Sequence, residues 1–244
     1  MHAFPKSAVW IYDVGKYVRS TAPETTWKKF FDKLLQKMVP PPFCDATSIH
    51  FVIDKYIEDS TKSGARKNRG ETKSIRINVT GLGQEMPATA DHLHLALSNS
   101  ITKKSMYLLF VNYLKSGNAP ISLPTVVNDE DITWEIHPSG EHTQIFVCNH
   151  EEADTRMIYH ATLQGKNDVV IVANDTDVLF LGAYACALDE SKKWFVNYEY
   201  KTFADLAKFA IFYGDLTLNL PMFHSITGCD TTSYFHYRGK TDPW

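Results

Sequence analysis

Aspartates stand at the ends of predicted β-strands at three places in this sequence. Asp13 closes SAVWIYD, Asp54 closes SIHFVID and Asp175 closes DVVIVAND. Because the carboxyl ends of parallel strands meet at one edge of a sheet, these side chains can converge from distant parts of the chain. Four further carboxylates lie near the ends of predicted helices: Glu152, Asp154, Asp177 and Asp230.

This set of carboxylates predicts a site for divalent cations. Seven of them at one edge of a sheet would repel one another unless a cation lay among them. Ligation by oxygen alone suits Mg²⁺ or Mn²⁺ better than zinc. Two such ions roughly 4 Å apart can activate a water and stabilise the leaving oxygen of a phosphodiester. Each carboxylate also has a structural alternative, since Asp commonly caps a helix and acids favour its first turn.

The elements that would position these side chains follow from the spacing of apolar residues. The i, i+3, i+4, i+7 pattern in TWKKFFDKLLQKMV predicts an amphipathic helix, which the prolines at 40–42 end. The predicted strands are 7–13, 48–54, 143–148, 168–175 and 193–198, and the predicted helices are 26–39, 103–115, 151–164, 176–186, 202–213 and 222–228. This alternation predicts an α/β fold with a mostly parallel sheet and helices on both faces.

Three strings, NHEEADTR, ANDTDVLFLG and SITGCDTT, resemble in order the internal motifs of flap endonucleases and their 5′-nuclease relatives. In that family a Glu-x-Glu pair opens a helix, an Asp-x-Asp pair follows the next strand and a Gly-x-Asp closes the metal site. The residues at these places here are Glu152, Asp154, Asp175, Asp177 and Asp230. Asp13 and Asp54 stand where the family has its first two strand-end ligands.

The resemblance implies a single PIN-like domain over residues 1–244, with a three-layer Rossmann-like fold and a variable insert at about 71–142. It further implies a metal-dependent nuclease, with two Mg²⁺ or Mn²⁺ ions held by the seven carboxylates and with structured DNA preferred to RNA as substrate. A basic group beyond Asp54 would clamp phosphates, or would form a solvated helix face. Its members are Lys62, Arg66, Lys67 and Arg69.

Two departures from the family pattern leave a second hypothesis open. Asp154 replaces the second Glu of the Glu-x-Glu pair, and TTSYFHYRGKTDPW stands where the family has a Gly-rich helix-hairpin-helix. We therefore expect either that this module is absent or that the sequence is a fragment. The alternative function is a PIN-like nucleic-acid-binding or scaffold protein with weakened catalysis. A Toprim-like domain fits less well, because it needs Glu after the first strand, where this chain has Asp13.

Composition excludes several classes of protein. The chain has 244 residues, a net charge of −3 and a hydrophobic share of 44%, so it can form a sizeable core and is not basic overall. No apolar run reaches the roughly 18 residues of a membrane span, and the start lacks the layout of a signal peptide. The four cysteines form no CxxC pair, which argues against a zinc knuckle. We expect an intracellular protein, nuclear in a eukaryote, with no membrane partner.

Overall fold

The structure, a computed structural model, describes residues 5, 7–41, 44–55, 74–173, 175–198 and 202–227. Within this part a mostly parallel sheet of eight strands runs in the order β5-β4-β3-β2-β1-β6-β7-β8. The strands are β1 (Ala8–Asp13), β2 (Ala46–Val52), β3 (Thr125–Asp129), β4 (Ile132–Ile136), β5 (His142–Val147), β6 (Asp168–Val172), β7 (Trp194–Tyr198) and β8 (Thr202–Asp205). Strands β3, β2, β1, β6 and β7 are parallel to one another. Strand β4 pairs antiparallel with both β3 and β5, and β8 pairs antiparallel with β7. The predicted α/β class with a mostly parallel sheet is confirmed.

Most of the helices in the described residues come between these strands, and the last ones follow β8. The helices are α1 (Val14–Ser20), α2 (Trp27–Lys37), α3 (Ala90–Leu97), α4 (Ser100–Lys115), α5 (Ala153–Thr162), α6 (Thr176–Leu188), α7 (Leu206–Tyr213) and α8 (Leu220–Thr227), with a 3₁₀ helix at Gly214–Asn219. In α2, Thr26 caps the first turn by accepting from the N–H of Lys29, and the apolar residues at helical spacing are buried. None of the described helices has both the length and the apolar character of a membrane span.

Hydrophobic residues form two clusters, one on each side of β1. Trp10 and Tyr12 belong to the first cluster, which includes buried side chains of α1, α2, α3 and α4. Val9 and Ile11 belong to the second, which includes side chains of α5, α6 and α7. Because successive strand residues point to opposite faces, a strand that is buried on both sides needs an uninterrupted apolar sequence. This accounts for AVWIY in β1 and VVIV in β6.

The sheet contains three strands that were not predicted, and one predicted helix is shorter than expected. Residues 202–213 form strand β8 and then helix α7, because Asp205 ends the strand and caps the helix by accepting from the N–H of Ala207. Strands β3 and β4 were not predicted, yet they form an antiparallel hairpin that extends the sheet beyond β2. The segment treated as a variable insert therefore contributes two strands to the same sheet.

Candidate metal centre

Three of the predicted aspartates lie at the edge of the sheet that is formed by the carboxyl ends of the parallel strands. They belong to β1 and its two neighbours, where the strand order changes direction, since β2 and β3 lie on one side of β1 and β6 and β7 on the other. Asp13 ends β1, with Val52 as its partner in β2, and Asp54 follows Val52 by two residues. On the other side of β1, Val172 pairs with Tyr12 and ends β6, so the chain reaches Asp175 at the same edge. The point of reversal in an open α/β sheet is where ligands bind.

Hydrogen bonds from backbone N–H groups orient these carboxylates. Oδ1 of Asp13 accepts from Gly15 N at 2.7 Å, and Oδ1 of Asp175 accepts from Asp177 N at 2.9 Å. Both aspartates thus cap the helix that follows, as the structural alternative predicts. Because a carboxylate has two oxygens, a cap made through one oxygen still leaves the other to bind a cation. Capping and metal binding are therefore compatible.

Glu152 and Asp154 lie at the start of α5, which reaches the same edge. Glu152 is the N-cap residue and Asp154 is in the first turn. Burial, followed by the charge of four neighbouring carboxylates, raises the pKa of Asp154 to about 8. In order of effect, these neighbours are Asp175, Asp13, Asp54 and Glu152. Five of the seven predicted carboxylates thus lie within one electrostatic neighbourhood.

The pKa of Asp13, at the end of β1, is also raised. Burial and then the negative charge of Asp54 raise it to about 6, although the guanidinium of Arg19 opposes the shift. Nη2 of Arg19 is 3.9 Å from Oδ2 of Asp13. Arg19 offsets the effect of Asp54 only in part, because the negative charge of Asp54 changes the pKa of Asp13 more than the guanidinium does.

The cluster is not a formed coordination sphere. Within the described ranges, no three His, Cys, Asp or Glu side chains are placed to hold a metal ion together. Asp177 is in the first turn of α6, and its backbone N–H donates to Oδ1 of Asp175. Asp230 lies outside the described residues, as do Lys62, Arg66, Lys67 and Arg69. The oxygen donors are nevertheless of the type that Mg²⁺ and Mn²⁺ prefer.

Asn128 holds the end of β2 in place, and the sequence prediction missed it. Its Oδ1 accepts from Ile53 N at 2.7 Å and its Nδ2 donates to Ile53 O at 2.9 Å. The side chain is only 2% exposed, so both backbone groups of Ile53 depend on it in a buried setting. Asp54 is the next residue and is positioned by this bridge. The signal in the sequence was an amide at the end of the apolar run TVV.

A second group of polar contacts fixes the loop before α5. The guanidinium of Arg156, which is fully buried, donates to the carbonyls of His150 and Glu130. Nζ of Lys55 donates to both carboxylate oxygens of Asp131, at 2.7 and 3.0 Å. Arg156 therefore joins the loop before α5 to the turn between β3 and β4.

Comparisons with models of known protein families, with curated proteins and with solved structures found no match. No family is therefore assigned to the chain by similarity. The resemblance to flap endonucleases depends on three ordered motifs, and the acidic pairs of two of them, Glu152 with Asp154 and Asp175 with Asp177, lie at the starts of α5 and α6.

Proposed function

We propose that the chain is a divalent-metal-dependent nuclease that hydrolyses phosphodiester bonds in structured DNA, with RNA as the less favoured substrate. Its fold would be a three-layer Rossmann-like PIN domain, consistent with the order of the five parallel strands and with hydrophobic clusters on both sides of β1. An intracellular location, nuclear in a eukaryote, accords with that substrate.

One observation carries the proposal: Asp154 lies among four other carboxylates, from three further segments and its own, at the edge where the strand order reverses, and their charges raise its pKa. Burial and like charge destabilise this arrangement in the folded protein. Structures keep such groupings mainly where a cation or a reaction requires them. Ordinary helix capping explains the hydrogen bonds of Asp13 and Asp175, but it does not explain why Asp154 is placed among four other acids.

The roles of the side chains follow from their positions. Asp13, Asp54 and Asp175 would each offer a carboxylate oxygen from a strand end, and Glu152, Asp154, Asp177 and Asp230 would complete the ligand set. Two bound ions would activate a water and stabilise the leaving oxygen of the phosphodiester. Lys62, Arg66, Lys67 and Arg69 would hold strand phosphates beyond Asp54.

Asp175→Asn tests the proposal, because asparagine keeps an oxygen for the cap of α6 and removes the negative charge. We expect Mg²⁺- or Mn²⁺-dependent cleavage of a labelled branched DNA duplex to fall by more than the roughly 10- to 100-fold lost with a supporting group. Thermal unfolding of the metal-free protein should change little. Cleavage that persists at the wild-type rate in Asp175→Asn would refute the nuclease proposal.

Asp205→Asn is the matched control. Asp205 also caps a helix, by accepting from the N–H groups of Ala207 and Lys208 at 3.1 and 3.4 Å. It pairs with Phe195 near the start of β7, at the opposite edge of the sheet from the carboxylates. This variant should cleave at the wild-type rate. An equal loss of activity in both variants would mean that capping, and not metal binding, was responsible.

A second candidate is a PIN-like nucleic-acid-binding or scaffold protein with weakened or lost catalysis. It is favoured because no three of the carboxylates in the described part of the chain are placed to hold a metal ion together. Asp154, whose side chain is one carbon shorter than the Glu of the family pattern, is consistent with a weakened site. Titration calorimetry with Mg²⁺ and Mn²⁺ distinguishes the candidates, because the scaffold would bind nucleic acid without binding either ion at this edge.

A further inference from the structure

A cavity with a cationic lining lies between α1, α3 and α4, beside the carboxylate edge. Its volume is about 140 Å³. Its polar lining comes from Arg19, Thr21, His94, Ser98, Lys103 and Tyr107. No Asp or Glu is among the described residues that line it. A cavity of this composition suits an anion with several oxygen acceptors.

Arg19 connects this cavity to the candidate metal centre. Its side chain is 66% exposed, and its guanidinium is 3.9 Å from the carboxylate of Asp13. A guanidinium carries five N–H donors in a planar fork, so one group can lie beside a carboxylate and still bind a phosphate. Lys103 contributes a second positive charge from α4. The two cations come from elements that are far apart in sequence and converge only in the fold.

Gly15 lines the cavity and also borders the carboxylate of Asp13. A Cβ at this position would lie 3.1 Å from Oδ1 of Asp13, 3.4 Å from Oη of Tyr107 and 3.6 Å from Nη1 of Arg19. The glycine therefore leaves a space that a side chain would fill, bordered by one group of the metal centre and two of the cavity. Glycine at such a point permits close approach of a ligand to the backbone.

We propose that this cavity binds a phosphate group of the nucleic-acid strand, adjacent to the phosphodiester that lies at the carboxylates. The inference rests on the proposed function, because it requires a nucleic-acid substrate. It places one phosphate of the strand beside α1 while the adjacent phosphodiester lies at the carboxylates. Arg19 and Lys103 supply the charge, and Gly15 supplies the passage between the two sites. The phosphate is either an internal phosphodiester or a terminal 5′-phosphate, since both present the same oxygens.

The test measures the binding of a fluorescent DNA, a duplex with a single-stranded 5′ arm, at several salt concentrations in the presence of a chelator. The affinity falls as the salt concentration rises, and each phosphate contact that is lost should reduce the magnitude of the slope of log affinity against log salt by about 1. We expect this change, with weaker binding, in Arg19→Gln and in Lys103→Gln, whereas Arg19→Lys should keep the wild-type slope. Lys208→Gln, on α7, removes an equally positive and exposed side chain and should change neither quantity.

Two forms of the DNA identify the source of the phosphate. If the cavity takes a terminal group, the variants will weaken binding of the 5′-phosphorylated arm and leave the 5′-hydroxyl arm unaffected. If it takes an internal phosphodiester, both arms will lose affinity equally. Wild-type slopes in both glutamine variants with both arms would overturn the inference, as would a failure of the wild-type protein to bind either arm. Because the chelator prevents metal-dependent cleavage, this result is independent of whether the carboxylates catalyse hydrolysis.

Discussion

The backbone N–H of Ala153 donates a hydrogen bond of 2.9 Å to Oδ1 of Asp54, across 99 residues of sequence. Glu152, which occupies the N-cap position of α5, makes no side-chain capping bond, so the carboxylate of Asp54 serves the helix instead. A strand-end residue from the first half of the chain thus orients the helix that carries Asp154. The backbone reinforces this link, since Lys55 N donates to Glu151 O at 2.8 Å.

Substitutions at Asp54 should separate this capping role from its charge. Asp54→Asn keeps an oxygen that can accept from Ala153, so its free energy of unfolding in urea should stay close to that of the wild type. Asp54→Ala removes the acceptor and should cost about 1 kcal/mol. Both variants should lose affinity for Mg²⁺ and Mn²⁺ in calorimetry. Equal stability of the two variants would show that the bond to Ala153 does not hold α5.

Asp154 should make the metal-free protein less stable as the pH rises. Its pKa is raised to about 8 in the folded protein from an ordinary 3.8, so the folded state retains a proton that the unfolded chain releases. Between these values the unfolded state binds fewer protons, and the stability due to this group is lost as the pH increases through the folded pKa. Asp154→Asn should therefore be more stable than the wild type at pH 8, and the difference should shrink towards pH 4.

Asp189→Asn is the control for this experiment, because its effect on stability at pH 8 should have the opposite sign. Hydrogen bonds from Ser191 and Lys192 lower the pKa of Asp189 to about 2. Removing this charge should destabilise the protein at pH 8, where the carboxylate is ionised in both states. Urea unfolding from pH 4 to 9 in a chelator measures both effects. An Asp154→Asn variant that is less stable than the wild type at pH 8 would contradict the raised pKa.

The strands that position the site could be predicted because their own sequences contain the signal. The runs in β1 and β6 are apolar throughout, since both faces of those strands are buried, and each is followed by an Asp. The amphipathic spacing in α2 likewise predicts its buried face. Convergence of the aspartates follows from parallel pairing alone, so the edge of the sheet at which they meet was also predictable.

The features that the sequence did not predict depend on partners distant in the chain. Strand β8 has four residues, too few for a periodic signal, and it exists because it pairs with β7. The role of Asn128 depends on Ile53, 75 residues away, and the cap of α5 depends on Asp54. Distances among the carboxylates are set by these contacts, so the sequence could indicate the members of the site but not their spacing.

Asn128 should be a strong determinant of stability. In Asn128→Ala the buried N–H and C=O groups of Ile53 lose their partners, and each loss costs about 1–3 kcal/mol. Asn128→Asp retains the acceptor but turns the second oxygen towards the carbonyl of Ile53, so it should be most destabilised when ionised and should recover in acid. Asn118→Ala, in an exposed turn, should stay within about 0.5 kcal/mol of the wild type. A neutral effect of Asn128→Ala in urea unfolding would refute the bridge.

A buried pair of histidines joins β2 to α5, on the face of the sheet that packs against the second hydrophobic cluster. Nδ1 of His50 and Nδ1 of His160 are 3.1 Å apart, and both residues are buried. Since one Nδ1 must donate and the other accept, the accepting ring must be neutral. Burial lowers the pKa of His50 to about 3, and burial followed by the charges of His50 and Arg156 lowers that of His160.

The histidine pair should cause a loss of stability in mild acid. The unfolded chain binds protons near the ordinary histidine pKa of 6.5, whereas the folded pair stays neutral, so stability present above pH 6.5 is lost as the pH falls towards 3. The double variant with His50→Leu and His160→Leu should show a flatter decline between pH 6.5 and 4 in urea unfolding. His50→Leu alone should cost about 1–3 kcal/mol at pH 7.5, because Nδ1 of His160 loses its partner. His142→Gln, on the exposed face of β5, should leave the acid profile unchanged. A double variant that declines as steeply as the wild type would exclude the pair as the cause.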